Sequence, residues 1–77
     1  MTKEITYKIN KSIKVLTENS KGYTKELNLV SWNGGTEKLD IREWYPDHER
    51  CGKGITLTET EGIDLMNALI EFFADKK

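Results

Sequence analysis

Hydrophobic and polar residues alternate with a period of two through most of residues 5–57, and then switch to a helical period. The alternation is cleanest from Lys25 to Tyr45, KELNLVSWNGGTEKLDIREWY. Leu27 and Leu29 alternate with Asn28, Val30 and Trp32; Leu39 and Ile41 alternate with Lys38, Asp40, Arg42 and Trp44. A period of two places the two sets on opposite faces of a sheet. Asn33-Gly34-Gly35 joins the arms, and Asn-Gly supplies the positive φ that a tight hairpin turn needs. Before it, Ile5 to Ile9 reads as a strand. Asn10-Lys11 marks a break or bend, and Ser12 to Thr17 is a second strand or a continuation of the first. Glu18 to Thr24 is a polar loop. After the hairpin, Pro46 has no N–H to give to a ladder, so the strand should stop at Tyr45. Pro46 to Arg50 is a polar connection, and Gly52 to Leu57 is a short last strand.

Thr58-Glu59-Thr60-Glu61 has the form of a capping box, in which the Thr58 hydroxyl and the Glu61 carboxylate satisfy each other's backbone amides. The spacing predicts a helix from about Glu59 to about Ala74. Ile63, Leu65, Met66, Ala68, Leu69, Ile70, Phe72 and Phe73 spread over about 220° of its circumference at roughly 100° per residue. Covering one small sheet takes a stripe of only about 100°. The surplus calls for a second apolar surface, and the same helix of another copy is the expected one. Met66, Leu69, Phe72 and Phe73 would then form an isologous dimer interface. The alternative is a monomer whose N-terminal strands wrap over the helix.

The chain has 77 residues and reads as one α+β domain spanning 1–77. A domain of this size buries only about 60% of its unfolded surface. One cysteine permits no internal disulfide, so oligomerisation is the expected extra source of stability. The single cysteine, the lack of an apolar run of roughly 20 residues, and an N-terminus without a secretory apolar segment predict a cytoplasmic protein, nucleoid-associated if it binds DNA. Net charge is −1 and selects no partner. Its distribution is uneven: six lysines against two glutamates in residues 1–25, and five acids against two lysines in residues 59–77. A basic sheet backed by an acidic helix suits an anionic ligand.

Catalytic patterns are absent. His48 lies in a charged loop between Asp47 and Glu49, with Cys51 three residues on, and this proximity does not make a dyad. Gly52-Lys53-Gly54 is too short for a phosphate loop. No cofactor, metal, small-molecule substrate or membrane partner is expected, and no enzyme. The aromatic residues carry more. Any one tryptophan in a small domain is best read as core. Trp32 and Trp44, however, share the face opposite the leucines with Asn28, Lys38 and Arg42. That face looks exposed and fit to stack on a flat anion. Base stacking on such aromatics contributes roughly 1–3 kcal/mol per base and tolerates any sequence. Lysines and Arg42 would neutralise phosphates. Trp44 and Tyr45 are adjacent, so a regular strand points them to opposite faces.

The segment KLDIREWYPDHERCGKGITLT resembles the positive cofactor four family of transcriptional coactivators. The shared features are a strand of the type IDIREYW, a polar turn, a GKGI-S/T-L strand and an acid-rich capped helix. With GYTKELNLVSWNGG added, the chain is most similar to the small bacterial YdbC-like branch, from about Tyr7 to the helix. The resemblance implies a strongly curved antiparallel sheet of four or five strands with one C-terminal helix. It also implies a homodimer joined through helices and sheet edges, with two concave channels for single-stranded DNA. By position, Trp32 sits near the family's earlier aromatic. Trp44 and Tyr45 match its aromatic pair, Arg42 its strand arginine, and Lys53 its lysine before the glycine. Lys14, Lys21, Lys25 and Lys38 are implied phosphate contacts. Gly52 stands where the coactivators carry a basic residue, and their Ser-rich extension has no counterpart in this sequence. The resulting expectation is a homodimeric, non-catalytic single-stranded DNA-binding protein with little sequence preference, acting in transcription regulation or in DNA replication or repair. The alternatives are a single-stranded RNA-binding protein and a protein-interaction module without nucleic acid.

Overall fold

A computed structural model describes residues 5–75; Lys3, Glu4, Lys76 and Lys77, which enter the charge asymmetry, lie outside them. Four strands form one antiparallel sheet in the order β1-β2-β3-β4: β1 Tyr7–Glu18, β2 Thr24–Trp32, β3 Glu37–Trp44 and β4 Cys51–Leu57. A 3-10 turn, Pro46–His48, joins β3 to β4, and helix α1, Glu59–Asp75, follows. The expected α+β architecture is present, with four strands.

The hairpin closes as its sequence requires. Asn33 and Gly34 have φ of 52° and 75°, and the Gly35 amide donates to the Trp32 carbonyl at 2.8 Å. Leu29 faces Leu39 and Leu27 faces Ile41 across β2 and β3, in unbroken register. The capping box also forms: the Glu61 amide donates to Thr58 Oγ1 at 3.1 Å, and the Thr58 amide to Glu61 Oε1 at 2.8 Å.

The first strand differs from expectation. Asn10-Lys11 does not break it: β1 starts at Tyr7, two residues after the expected start at Ile5, and runs unbroken to Glu18. Between Tyr7↔Trp32 and Glu18↔Thr24 its pairing with β2 slips at Ile9/Lys11, Ser12/Lys14 and Val15/Thr17. Each slip inserts one extra residue in β1, which bends the strand and tightens the local twist. Asn10 occupies the first of these bulges, and its amide reaches Ser31 Oγ at 3.0 Å and Glu37 Oε1 at 2.7 Å.

The resulting curl can be measured through Tyr7. Its ring centroid lies 5.7 Å from that of Trp32 and 5.2 Å from that of Trp44. Trp32 is the β2 partner of Tyr7, whereas Trp44 pairs with Thr24 at the far end of β2. On a flat sheet those two ends of β2 would be roughly 26 Å apart. Only a sheet curled over its Glu26-Asn28-Val30 side lets one tyrosine touch both tryptophans.

That curl reverses the expected exposure of the two faces. Asn28, Val30, Asp40 and Trp44, expected on an open face, have no exposure, and Glu26 on the same face keeps only 3%. Leu27, Leu29, Leu39, Ile41 and Leu57, expected as core under the helix, are only half-buried, and Ile55, expected with them, is 54% exposed. Helix α1 meets the sheet along β3 and β4 and has no fully buried residue. Its closest approach is at Gly62, where a Cβ would lie 2.5 Å from Leu39 Cδ1. An apolar cleft of about 410 Å³ stays open between helix and sheet, lined by Leu16, Leu27, Leu39, Ile41, Leu57 and the Leu65–Ile70 side of α1.

Gly54 marks the tightest strand contact. A Cβ there would fall 2.5 Å from both Arg42 Cβ and the Ile41 carbonyl oxygen, so backbone would have to move. Gly54→Ala is therefore expected to cost about 1–3 kcal/mol of stability. Gly62→Ala meets only the end of a flexible leucine and gains up to about 1 kcal/mol of helix propensity. Urea unfolding of the two variants should rank Gly54→Ala as clearly the more damaging; equal midpoints would refute the close approach at β3–β4.

Candidate functional site

The inner face is built around two buried carboxylates. Glu26 accepts from Thr24 Oγ1 at 2.7 Å and Asn28 Nδ2 at 3.0 Å, and His48 Nε2 lies 2.9 Å from each of its oxygens. Burial, the largest influence, pushes the Glu26 carboxyl up from its ordinary 4.5. The hydrogen bonds from Thr24, Asn28 and His48, with the charge of a protonated His48, outweigh it, and the net direction is down. Asp40 receives Arg42 in bidentate form, Nε to Oδ1 at 2.9 Å and Nη2 to Oδ2 at 2.9 Å. Arg42 Nη1 also donates to the Gly52 carbonyl at 3.1 Å.

These pairs position the aromatics. His48 lies with its ring centroid 5.2 Å from that of Trp44, and its carbonyl accepts the Tyr7 hydroxyl at 2.8 Å. Trp44 is thus enclosed between Tyr7 and His48, and its Nε1 is buried without an acceptor. Trp32 is half-buried, with the Arg42 Cζ 4.6 Å from its ring centroid. Beside it runs an open groove of about 460 Å³, lined by Trp32, Lys38, Arg42, Cys51, Thr56, Ile5 and the hairpin tip at Asn33, Gly35 and Thr36.

The sequence-predicted site residues therefore separate. Trp32, Lys38 and Arg42 come together in this groove. Trp44 and Asn28 do not join them: both are fully buried, because the curl of the sheet turns their face inward and the 46–50 connection closes over it. Tyr45 points away from Trp44 and is held between Tyr23, at 4.9 Å between ring centroids, and the Arg50 guanidinium, at 4.8 Å. Lys25 and Lys53 meet beside Glu43 in a second, shallower depression of about 420 Å³ on the leucine side of the sheet. Lys14 is exposed on β1, and Lys21 is exposed in the loop before β2. On the helix, Met66, Leu69, Phe72 and Phe73 are 51%, 46%, 58% and 61% exposed.

Four residues of the site escaped the sequence reading. Asp40 sits two residues before Arg42 on one strand face, a spacing that could have disclosed the pair. Glu26 and His48 are separated by 22 residues with no local signal. Thr56, opposite Asp40 on β4, enters the groove only through strand register. Among the described residues, no group of three or more His, Cys, Asp or Glu is placed to hold a metal. No helix among them is long and apolar enough to cross a membrane.

Residues 19–69, from the loop before β2 into α1, match the transcriptional coactivator p15 (PC4) family. The chain belongs to this family. The match takes in β2, β3, β4 and with them Trp32, Lys38, Arg42 and both buried carboxylates, and it leaves β1 outside. An uncharacterized protein of Treponema pallidum (strain Nichols) is 41% identical over 66 residues, covering 82% of this chain and 78% of the relative. The p15 (PC4) assignment agrees with the family resemblance carried by the segment from Lys38 to Thr58.

Because folding lowers the Glu26 pKa, its ionised form contributes stability above the unfolded value near 4.5, and that contribution is lost as pH falls through the lower folded value. At pH 6, Glu26→Gln should be less stable than the parent by about 1–3 kcal/mol, the range for hydrogen bonds to a charged group. Denaturant melts between pH 6 and pH 3 should show the gap holding down to about 4.5 and narrowing below it. A gap that stays constant would mean that the Glu26 charge carries none of it.

Proposed function

We propose that this chain is a non-catalytic, homodimeric single-stranded DNA-binding protein with little sequence preference. The observation that carries the reading is the groove in which half-buried Trp32 stands beside exposed Lys38 in a member of the p15 (PC4) family. A stacking surface next to a cation suits a strand whose bases are unpaired, and it reads no base edge. A paired duplex hides those base faces, so it should compete poorly. The setting we propose is the cytoplasm, in transcription regulation or in DNA replication or repair. The likeness to the Treponema pallidum relative supports placing the chain in the small bacterial branch.

The dimer reading rests on α1. Ile63, Met66, Leu69, Ile70, Phe72 and Phe73 are 46–61% exposed along one helix, above an apolar cleft that the chain does not fill. Exposed apolar patches of this kind mark interaction surfaces. A second copy of the helix supplies a matching surface through two-fold symmetry.

With a labelled oligo-dT, Trp32→Ala should weaken binding by roughly 5- to 150-fold, the equivalent of one lost base stack. Lys38→Gln should lower the slope of log K against log salt by about 0.7, one phosphate contact on a single strand. Fluorescence anisotropy at several salt concentrations measures both, with matched duplex and RNA as competitors. Unchanged binding by folded Trp32→Ala, or equal binding of duplex, would refute the single-strand reading; equal competition by RNA would broaden it.

Sedimentation equilibrium should give twice the 8.9 kDa chain mass. Leu69→Glu should shift the protein to the single-chain mass. A parent protein that remains single-chain at micromolar concentration would rule the dimer out.

A further inference from the structure

We infer that Arg42 is a stacking surface for a base, held flat by Asp40, and not a phosphate clamp; the inference rests on the single-strand reading above. Three observations lead to it. The first is charge. Asp40 has no exposed surface, and both its oxygens are taken by Arg42. A carboxylate so buried cannot be left unpaired without a large penalty. The cation of Arg42 is thus committed to Asp40, and the pair presents no net charge to the groove.

The second observation is rigidity. Nε and Nη2 are fixed on Asp40, and Nη1 is fixed on the Gly52 carbonyl. The stem of Arg42 lies against β4 at Gly54, where even a Cβ would not fit. A guanidinium tied at three of its nitrogens cannot swing out to follow a phosphate.

The third is placement. The Arg42 Cζ stands 4.6 Å over the Trp32 ring, so the cation already covers one face of the indole. The side chain keeps 16% exposure and lines the groove. An incoming base meets a flat, charge-compensated guanidinium that continues the stack from Trp32. Stacking on arginine planes is an established mode of holding unpaired bases. Asp40 is then a positioning residue, and Lys38 carries the phosphate contact in this groove.

The test is the salt dependence of oligo-dT binding by the parent protein, Arg42→Lys, Arg42→Gln and Asp40→Asn, each checked for its fold by circular dichroism. A stacking surface needs the planar group. Both Arg42 variants should therefore lose roughly fivefold or more in affinity while the salt slope stays at the parent value. Asp40→Asn releases the Arg42 charge, and the slope should steepen by about 0.7. A fall in slope for Arg42→Gln, or full affinity in Arg42→Lys, would overturn the inference and make Arg42 a phosphate clamp or a bystander. An unchanged slope in Asp40→Asn would overturn it as well. If Arg42→Gln does not fold, the lysine and asparagine variants decide. Failure of the parent protein to bind oligo-dT would defeat the single-strand reading itself, a result distinct from all of these.

Discussion

Two carboxylates with almost no contact with solvent, Glu26 and Asp40, constrain the inner face of this protein. An unpaired buried charge is among the costliest features a small domain can carry. Each carboxylate therefore needs a hydrogen-bonding partner, and the two solutions shape the rest. Asp40 takes Arg42 from its own strand, which lays the guanidinium over Trp32. Glu26 takes His48 from the connection after β3, which draws that connection down over Trp44. The connection accepts φ of 59° at Asp47 and 57° at His48. Such backbone costs of order 1–3 kcal/mol per residue and persists only where the surroundings enforce it. The His48–Glu26 pair and the Tyr7 bond to the His48 carbonyl are the interactions that enforce it. One tryptophan is left beside an open groove and the other sealed because their neighbouring charges are paired differently.

The sequence disclosed what is local. Asn33-Gly34 fixed the hairpin and its register, Thr58 and Glu61 fixed the helix start, and the apolar positions of α1 gave its length within a residue or so. Alternation put Trp32, Lys38 and Arg42 on one face, where the structure also gathers them, and the family resemblance implied the curvature of the sheet. What failed was the assignment of inside and outside on the hairpin. Leu27, Leu29, Leu39 and Ile41 read as core, and Asn28, Asp40 and Trp44 as an open face, because local alternation ranks faces by hydrophobicity. The outcome is set by Tyr7 reaching Trp44, 37 residues away, and that contact depends on three bulges in β1. Bulges leave no mark in a period-two pattern that is already irregular. Burial of Glu26 depends likewise on His48, whose approach is a property of the connection's backbone.

The single chain is consequently inverted in its economy of surface. Its fully buried hydrophobic side chains are Val30 and Trp44 among the described residues, while the helix keeps every apolar residue partly in water. Hydrogen bonds and ion pairs order the inner face, yet they contribute little net stability relative to solvent. Large apolar side chains on α1 and beside its cleft stay uncovered by the chain itself. The proposed second copy would resolve this, completing the outer face and leaving the inner face and its groove to a ligand. Stability and binding would then belong to opposite sides of one sheet, and a substitution on either side could be read without confusing the two.

The same pairing bears on electrostatics. A net charge of −1 argues against an anionic ligand only if the charges are spread evenly and equally available. They are neither. Asp40 and Glu26 are spent inside the sheet on Arg42 and His48. Five acids lie on α1, at Glu59, Glu61, Asp64, Glu71 and Asp75, a helix that meets β3 and β4 on the leucine face and not at the inner groove. Screening in physiological salt reaches about 8 Å, so charges on the far side of the sheet have little weight at the groove. Among the described residues, the groove at Trp32 carries one free cation, Lys38, beside the flat Arg42–Asp40 pair. Such a site favours stacking over charge, and its affinity should depend less on salt than a lysine-rich channel of the same length would.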